Sequence, residues 1–82
     1  MDQITTIKIM LPTMDDAKTF VSIVAKYPME MDLRIGRYVV DAKSILGILS
    51  LGKQDILSLD VYGTVPERFL EDISSYIVTE GE

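Results

Sequence analysis

The chain has 82 residues and a formal net charge of −5, and it contains neither histidine nor cysteine. This length predicts one small domain spanning residues 1–82. Without cysteine, a disulfide framework, thiolate catalysis and iron–sulfur ligation are excluded, and zinc is left only carboxylate ligands. Without histidine, no imidazole can act as nucleophile, general base or metal ligand. The acidic balance argues against nucleic acid and anionic membranes as partners.

The sequence also lacks the features that would direct the chain to a membrane or give it catalytic chemistry. No apolar run approaches the roughly 20 residues that cross a bilayer, and residues 1–10 do not form a signal peptide, so we expect a cytoplasmic protein. Asp15 and Asp16 point about 100° apart on a helix, which argues against a shared metal site. Paired catalytic carboxylates and a glycine-rich phosphate loop are absent, so we expect neither an enzyme nor a bound cofactor.

The first predicted elements are a strand and a helix. Residues 4–11 alternate between apolar and polar side chains, as a strand does when one face is buried. Residues 13–27 place apolar side chains at i, i+3, i+4 and i+7, which predicts a helix. Thr13 is a suitable N-cap with Asp16 as its capping-box partner, and Pro28 ends the helix.

A hairpin and a short helix follow. Residues 29–35 alternate cleanly, and residues 38–42 predict a second strand after a turn at Gly36. The segment S-I-L-G-I-L-S-L-G then predicts a helix with Ser44 as its N-cap and Gly52 as its C-terminal stop.

The last predicted elements are a strand over residues 56–63 and a terminal helix. Thr64 is a candidate N-cap for this helix, with Pro66 and Glu67 in its first turn. The order β-α-β-β-α-β-α predicts an α+β fold with a four-stranded, mainly antiparallel sheet, helices on one face and water on the other. The apolar side chains expected to face inward from the terminal helix are Phe69, Leu70, Ile73, Tyr76 and Ile77.

The segment V-D-A-K-S-I-L-G-I-L-S-L-G at residues 40–52 is the most specific motif in the chain. It resembles the segment around the regulatory serine of HPr, the small phosphocarrier of the bacterial phosphoenolpyruvate-dependent sugar phosphotransferase system, whose pattern is close to V-N-A-K-S-I-M-G-I-M-S-L-G. The element order is also similar to that of HPr. The resemblance implies the HPr-like open-faced β-sandwich, a four-stranded antiparallel sheet covered on one face by three helices.

The second HPr motif, G-[IL]-H-A-R-P-A at the start of the first helix, is altered at residues 11–17, which read L-P-T-M-D-D-A. In this resemblance the phosphorylated histidine falls on Thr13, the arginine on Asp15 and the proline on Asp16. Two carboxylates in the first helical turn take up the positive end of the helix dipole and repel phosphate. We therefore expect an HPr-like protein that does not accept phosphate from the first enzyme of the system.

Ser44 stands at the position of the regulatory serine of HPr. As an N-cap it stabilises a short helix by about 1 kcal/mol. The resemblance implies, in addition, phosphorylation by an HPr kinase/phosphorylase. Both roles are compatible, because the helix dipole favours a phosphate there, which adds a charge of about −1.5 to −2 beside an apolar surface.

The second predicted helix carries more apolar residues than one buried stripe needs, which predicts that Leu46 and Leu49 are partly exposed. Gly47 is expected to allow close approach of this helix to the sheet. In the HPr family this helix and the start of the first helix bind partner proteins. The resemblance implies as partners an HPr kinase/phosphorylase and a LacI-type catabolite-control regulator. We expect the chain to be a monomer or a weak homodimer. The expected docking residues are Lys18, Lys43, Ile45, Leu46, Leu49 and Ser50.

Two features depart from the HPr pattern and could form a new surface: the loop after Gly52 is shorter, and the turn glycine Gly36 is displaced. Two alternative functions also stay open. One is a ferredoxin-like domain that senses a small molecule or dimerises through its sheet, although such domains have no reason to carry the motif at residues 40–52. The other is a true phosphocarrier, against which the altered residues 13–16 argue.

Overall fold

A computed structural model describes residues 3–51 and 56–79 of the chain. The elements follow the predicted β-α-β-β-α-β-α order, and each strand is one or two residues shorter than predicted. They are β1 (Ile4–Ile9), α1 (Met14–Val24), β2 (Glu30–Ile35), β3 (Tyr38–Asp41), α2 (Ile45–Leu49), β4 (Leu57–Tyr62) and α3 (Glu67–Asp72), followed by a 3-10 turn at Ser74–Tyr76.

The four strands form one antiparallel sheet in the order β1-β4-β2-β3. β4 therefore lies inside the sheet although it is the last of the four strands in sequence, and β1 and β3 form the edges. Alternate strand residues and the apolar sides of the helices form one core, which confirms the α+β open-faced fold. The core side chains are Ile9, Leu11, Ala17, Phe20, Val24, Met31, Leu33, Ala42, Ile48, Leu57, Leu59, Val61, Phe69 and Ile73.

The predicted start of α1 and the predicted hairpin turn follow from local chemistry, whereas α1 ends at Val24, before the predicted end at Tyr27, because the last residues bond to the third residue before them. Thr13 Oγ1 accepts a hydrogen bond from the Asp16 N–H at 3.0 Å, and Asp16 Oδ2 accepts one from the Thr13 N–H at 3.3 Å. This reciprocal capping box confirms the predicted start of the helix. In the turn between β2 and β3, Gly36 has φ +56° while Arg37 has a negative φ. This pattern matches a type II′ turn, which favours glycine at its first central position.

The prediction for the terminal helix is partly wrong. Thr64 does not cap it: the N-cap residue is Pro66, which makes no side-chain hydrogen bond. Leu70 is exposed, because only one side of this six-residue helix faces the core, the side of Phe69 and of the C-cap residue Ile73. Ile77 is half-buried through a different contact, an isolated bridge to Ile9 of β1, because the chain has already left the helix.

At its C-terminal end α2 is followed by Ser50 in the C-cap position, and the predicted stop at Gly52 lies outside the described residues. Within residues 3–51 and 56–79, no helix has the length and apolar character needed to cross a bilayer.

Candidate functional site

The N-terminus of α2 is built around a serine and a glycine. Ser44 is extended, with φ −110° and ψ 111°, and its Oγ accepts a hydrogen bond from the Gly47 N–H at 3.1 Å. A Cβ on Gly47 would lie 3.2 Å from Val40 Cβ and 3.3 Å from Ser44 Oγ. Glycine therefore lets the first turn of α2 lie close against β3 and leaves room for the Ser44 hydroxyl. The predicted cap and the predicted close approach are both confirmed.

The outer surface of α2 is apolar. Leu46 is 77% exposed and Leu49 is 40% exposed, whereas Ile48 on the opposite side is buried. The predicted exposure is confirmed, and a docking role for these side chains stays a prediction. Met14, at the start of α1, is exposed as well, which sequence reasoning did not single out.

The other expected docking residues have different surroundings. Lys43 Nζ donates a hydrogen bond to the Tyr27 carbonyl oxygen at 2.6 Å, which ties the start of α2 to the segment after α1. Ser50 is exposed, and its Oγ donates to the Gly47 carbonyl oxygen at 2.6 Å. Ile45 is half-buried against the core, and Lys18 is exposed. The exposed surface of α2 is therefore formed by its two leucines and Ser50.

At the start of α1, a carboxylate already occupies the helix N-terminus. Thr13 Oγ1 donates to Asp16 Oδ2 at 2.9 Å, in addition to the two backbone bonds of the capping box. Asp15 is exposed beside them. A shallow depression next to this turn is lined in part by Pro12, Asp16 and Tyr76. The N-terminus of α1 would otherwise favour an anion, but the Asp16 carboxylate already accepts hydrogen bonds there and adds negative charge.

The open face of the sheet carries a polar cluster that sequence reasoning missed. Asp60 in β4 is only 8% exposed. It accepts hydrogen bonds from Thr6 Oγ1 at 2.7 Å, from Arg34 Nε at 2.9 Å and from Arg34 Nη2 at 3.0 Å. The Arg34 guanidinium holds the pKa of the Asp60 carboxyl below its usual value, against the opposing effect of burial, and Thr6 acts in the same direction as Arg34.

A second pair lies beside this cluster. The Tyr62 hydroxyl donates to Asp32 Oδ2 at 2.9 Å, and this bond raises the pKa of Tyr62. Sequence alternation identified Asp32 and Arg34 only as outward-facing positions of one strand. Their partners come from strands distant in sequence, so no local signal could have paired them. Across the described residues, no three acidic side chains lie close enough together to hold a metal ion.

Of three comparisons with known proteins, only the comparison with solved structures gives a match. A search of solved structures finds the crystal structure of HPr-C-His from Thermoanaerobacter tengcongensis, with a TM-score of 0.68 and 26% sequence identity. The match covers 89% of this chain and 88% of that chain. A scan against models of protein families and a search of the curated proteins find no match. The fold of this chain is therefore HPr-like, as the motif at residues 40–52 implied.

Proposed function

We propose that this chain is an HPr-like regulatory protein that binds protein partners through α2 and does not carry phosphate on α1. The exposed pair Leu46 and Leu49 is the observation that carries the proposal, because these apolar side chains lie beside the capping Ser44 on an HPr-like fold. Exposed apolar side chains grouped on one element are typical of protein contact surfaces. A cytoplasmic location, a bacterial origin and the absence of enzymatic activity belong to the same proposal.

The loss of carrier chemistry rests on the start of α1. No histidine is present, and the carboxylates of Asp15 and Asp16 stand where a phosphoryl group would have to be stabilised. We expect no gain in intact mass when the protein is incubated with phosphoenolpyruvate and the first enzyme of the phosphotransferase system, with a genuine HPr phosphorylated in parallel. Thr13→His alone should not create a carrier, because both carboxylates remain. A stable phosphoadduct on the unmodified protein would contradict the proposal.

Regulation at Ser44 is proposed from the resemblance and supported by the geometry of the cap. A phosphate on Ser44 Oγ would lie beside the Gly47 N–H and add negative charge next to the α2 leucines. With ATP and an HPr kinase/phosphorylase, we expect one phosphate on the wild-type protein and none on Ser44→Ala. Ser50→Ala is the matched control, since it removes an exposed hydroxyl from the same helix and should leave phosphorylation intact. Equal labelling of the Ser44→Ala variant would refute the assignment.

Partner binding is tested at the α2 surface. The proposed partners are an HPr kinase/phosphorylase and a catabolite-control regulator, and calorimetric titration with each measures affinity directly. Leu46→Ser should weaken binding about tenfold or more, because the buried centre of an interface carries most of its energy. Leu70→Ser is the matched control, since Leu70 is an exposed leucine on another helix. Equal loss in both variants would show that α2 is not the docking surface.

The alternative, a ferredoxin-like domain that binds a small molecule, shares the element order only up to β4. The additional helix α3 and the HPr-like structural neighbour favour the first proposal.

A further inference from the structure

The two edges of the sheet differ in how they are covered. At the end of β1, the chain that follows α3 pairs alongside it: the Val78 N–H donates to the Lys8 carbonyl oxygen at 2.9 Å, and the Met10 N–H donates to the Tyr76 carbonyl oxygen at 2.9 Å. β3 pairs with β2 on one side, and no strand among the described residues pairs with its other side. An uncovered edge strand presents N–H and C=O groups that can pair with another chain.

The turn before β3 determines which backbone groups of this strand point toward β2 and which point outward. In the two-residue turn, Ile35 and Tyr38 are directly paired, and the Tyr38 N–H points toward β2. Because the direction of backbone groups alternates along an antiparallel strand, the N–H and C=O of Val39 point away from the sheet. The side chains here are uncovered as well: Tyr38 is 72% exposed and Val39 is 55% exposed.

Residues 37–41, R-Y-V-V-D, are complementary to themselves in antiparallel pairing. When a two-fold axis passes beside Val39, that residue faces its own copy, Tyr38 faces Val40 of the second copy, and Arg37 faces Asp41 of the second copy. This is the isologous geometry of a symmetric dimer. The pairing joins apolar to apolar along β3, and it joins positive to negative where Arg37 of the turn faces Asp41 of the second copy.

Other registers lose this complementarity. Residues that face each other across the interface must have their side chains on the same face of the sheet. The nearest alternative registers are therefore shifted by two residues in either direction. One of them places Arg37 against Val39, and the other places Val39 against Asp41. Each of these puts a charged side chain opposite an apolar one and removes the contact between opposite charges.

We propose that a second copy of this chain docks on the β3 edge in the register centred on Val39, so that two four-stranded sheets become one continuous antiparallel sheet. The distribution of charge favours docking at the β3 edge over docking on the open face of the sheet. The strand register aligns Asp60, Asp32 and Asp41 in one row across that face. A second copy that covered this row would bury the carboxylates of Asp32 and Asp41, whereas edge pairing brings each Arg37 to an Asp41 of the second copy.

Sedimentation measured from micromolar to millimolar protein tests the proposal. We expect reversible dimerisation that Arg37→Asp weakens about tenfold, because each dimer contains two such contacts and each shifts the equilibrium a few-fold. Asp41→Arg should weaken it similarly, and the double variant Arg37→Asp/Asp41→Arg should restore it. Arg68→Asp makes the same change of charge in the first turn of α3 and should leave dimerisation unchanged.

Two further measurements keep the proposal falsifiable if a variant folds poorly. Asp41 Oδ1 accepts a hydrogen bond from the Lys43 N–H at 2.9 Å, so thermal melts must accompany the Asp41 variants. Val39→Lys changes an exposed side chain and should abolish dimerisation, since it places like charges at the axis. In a mixed-label NMR sample, the Tyr38 ring should contact the Val40 methyl groups of the other copy.

Three results would overturn the proposal. The first is a monomer throughout the millimolar range. The second is an association that Leu46→Ser abolishes and Val39→Lys leaves intact, which would assign it to α2. The third is a double charge swap that fails to restore dimerisation although its thermal melt matches that of the wild type.

Discussion

The Asp60–Arg34 pair on the open face gives the sharpest test of how this sheet is stabilised. The perturbation is Asp60→Asn, which keeps the shape of the side chain and removes its charge. Asn can still accept at one oxygen, but its NH₂ group then faces the donor atoms of Arg34. Two charge-assisted hydrogen bonds, at 2.9 and 3.0 Å, are lost or weakened at a side chain that is almost fully buried.

The expected loss is about 1–2 kcal/mol of unfolding free energy at neutral pH. Hydrogen bonds to charged groups contribute about 1.5–3 kcal/mol, and the expected loss lies around the lower end of that range because the Arg34 side chain is 43% exposed and water screens the pair. In a domain of this size each kcal/mol moves Tm by roughly 4–8 °C. Glu30→Gln changes an exposed carboxylate on β2, the strand that carries Arg34, and its unfolding free energy should stay within about 0.5 kcal/mol of the wild type.

The assay is urea unfolding of wild type, Asp60→Asn, Arg34→Gln and the double variant. Because the two side chains share their hydrogen bonds, the double variant should lose less than the sum of the single losses. The pH dependence has a definite sign. Arg34 lowers the pKa of Asp60 in the folded state, so the stabilisation is present above the unfolded pKa of about 3.9 and is lost as pH falls through the lowered folded pKa.

The difference between wild type and Asp60→Asn should therefore be constant from about pH 5 to 8 and shrink below about pH 4. A wild-type midpoint for Asp60→Asn at pH 7, or single losses that simply add, would refute the role assigned to this pair. A difference that stays the same at low pH would refute it as well.

Three other outcomes follow from the local structure and are measured by urea unfolding. Thr13→Ala breaks the capping box and should cost about 1 kcal/mol, and an unchanged midpoint would contradict the cap. Ile48→Ala should cost about 2–5 kcal/mol because it opens a cavity in the core, whereas Leu46→Ala on the same helix should cost less than about 1 kcal/mol; equal losses would refute their assigned burial. Gly36→Ala should cost about 1–2 kcal/mol at its φ of +56°, and a neutral result would exclude the positive φ at this residue.

Much of this fold was predictable because its signals are local. The alternation of residues 29–35 reports the period of a strand, and the pair Thr13 and Asp16 satisfies backbone groups within one helical turn. Ser44 could be recognised as a cap for the same reason. The motif at residues 40–52 then pointed to the HPr-like fold that the structure has.

Local signals misled at the terminal helix. Thr64, Pro66 and Glu67 form a plausible start signal, yet the helix begins at Glu67 itself and ends after six residues. Helical periodicity therefore assigned Leu70 and Ile77 to one inward face. Leu70 is instead exposed, and packing against β1 decided the position of Ile77, which pairs with Ile9 after the helix has ended.

The sequence by itself determined where most strands and helices lie, which side chains alternate toward the core, and that no histidine chemistry is available. Beyond the hairpin of β2 and β3, only the tertiary structure decided which strands are neighbours. The insertion of β4 between β1 and β2 brings Thr6, Arg34 and Asp60 together from three strands, and it leaves β3 at the edge. The physical reason is that periodicity and capping act within a few residues, whereas strand order is set by how the whole chain buries its apolar surface.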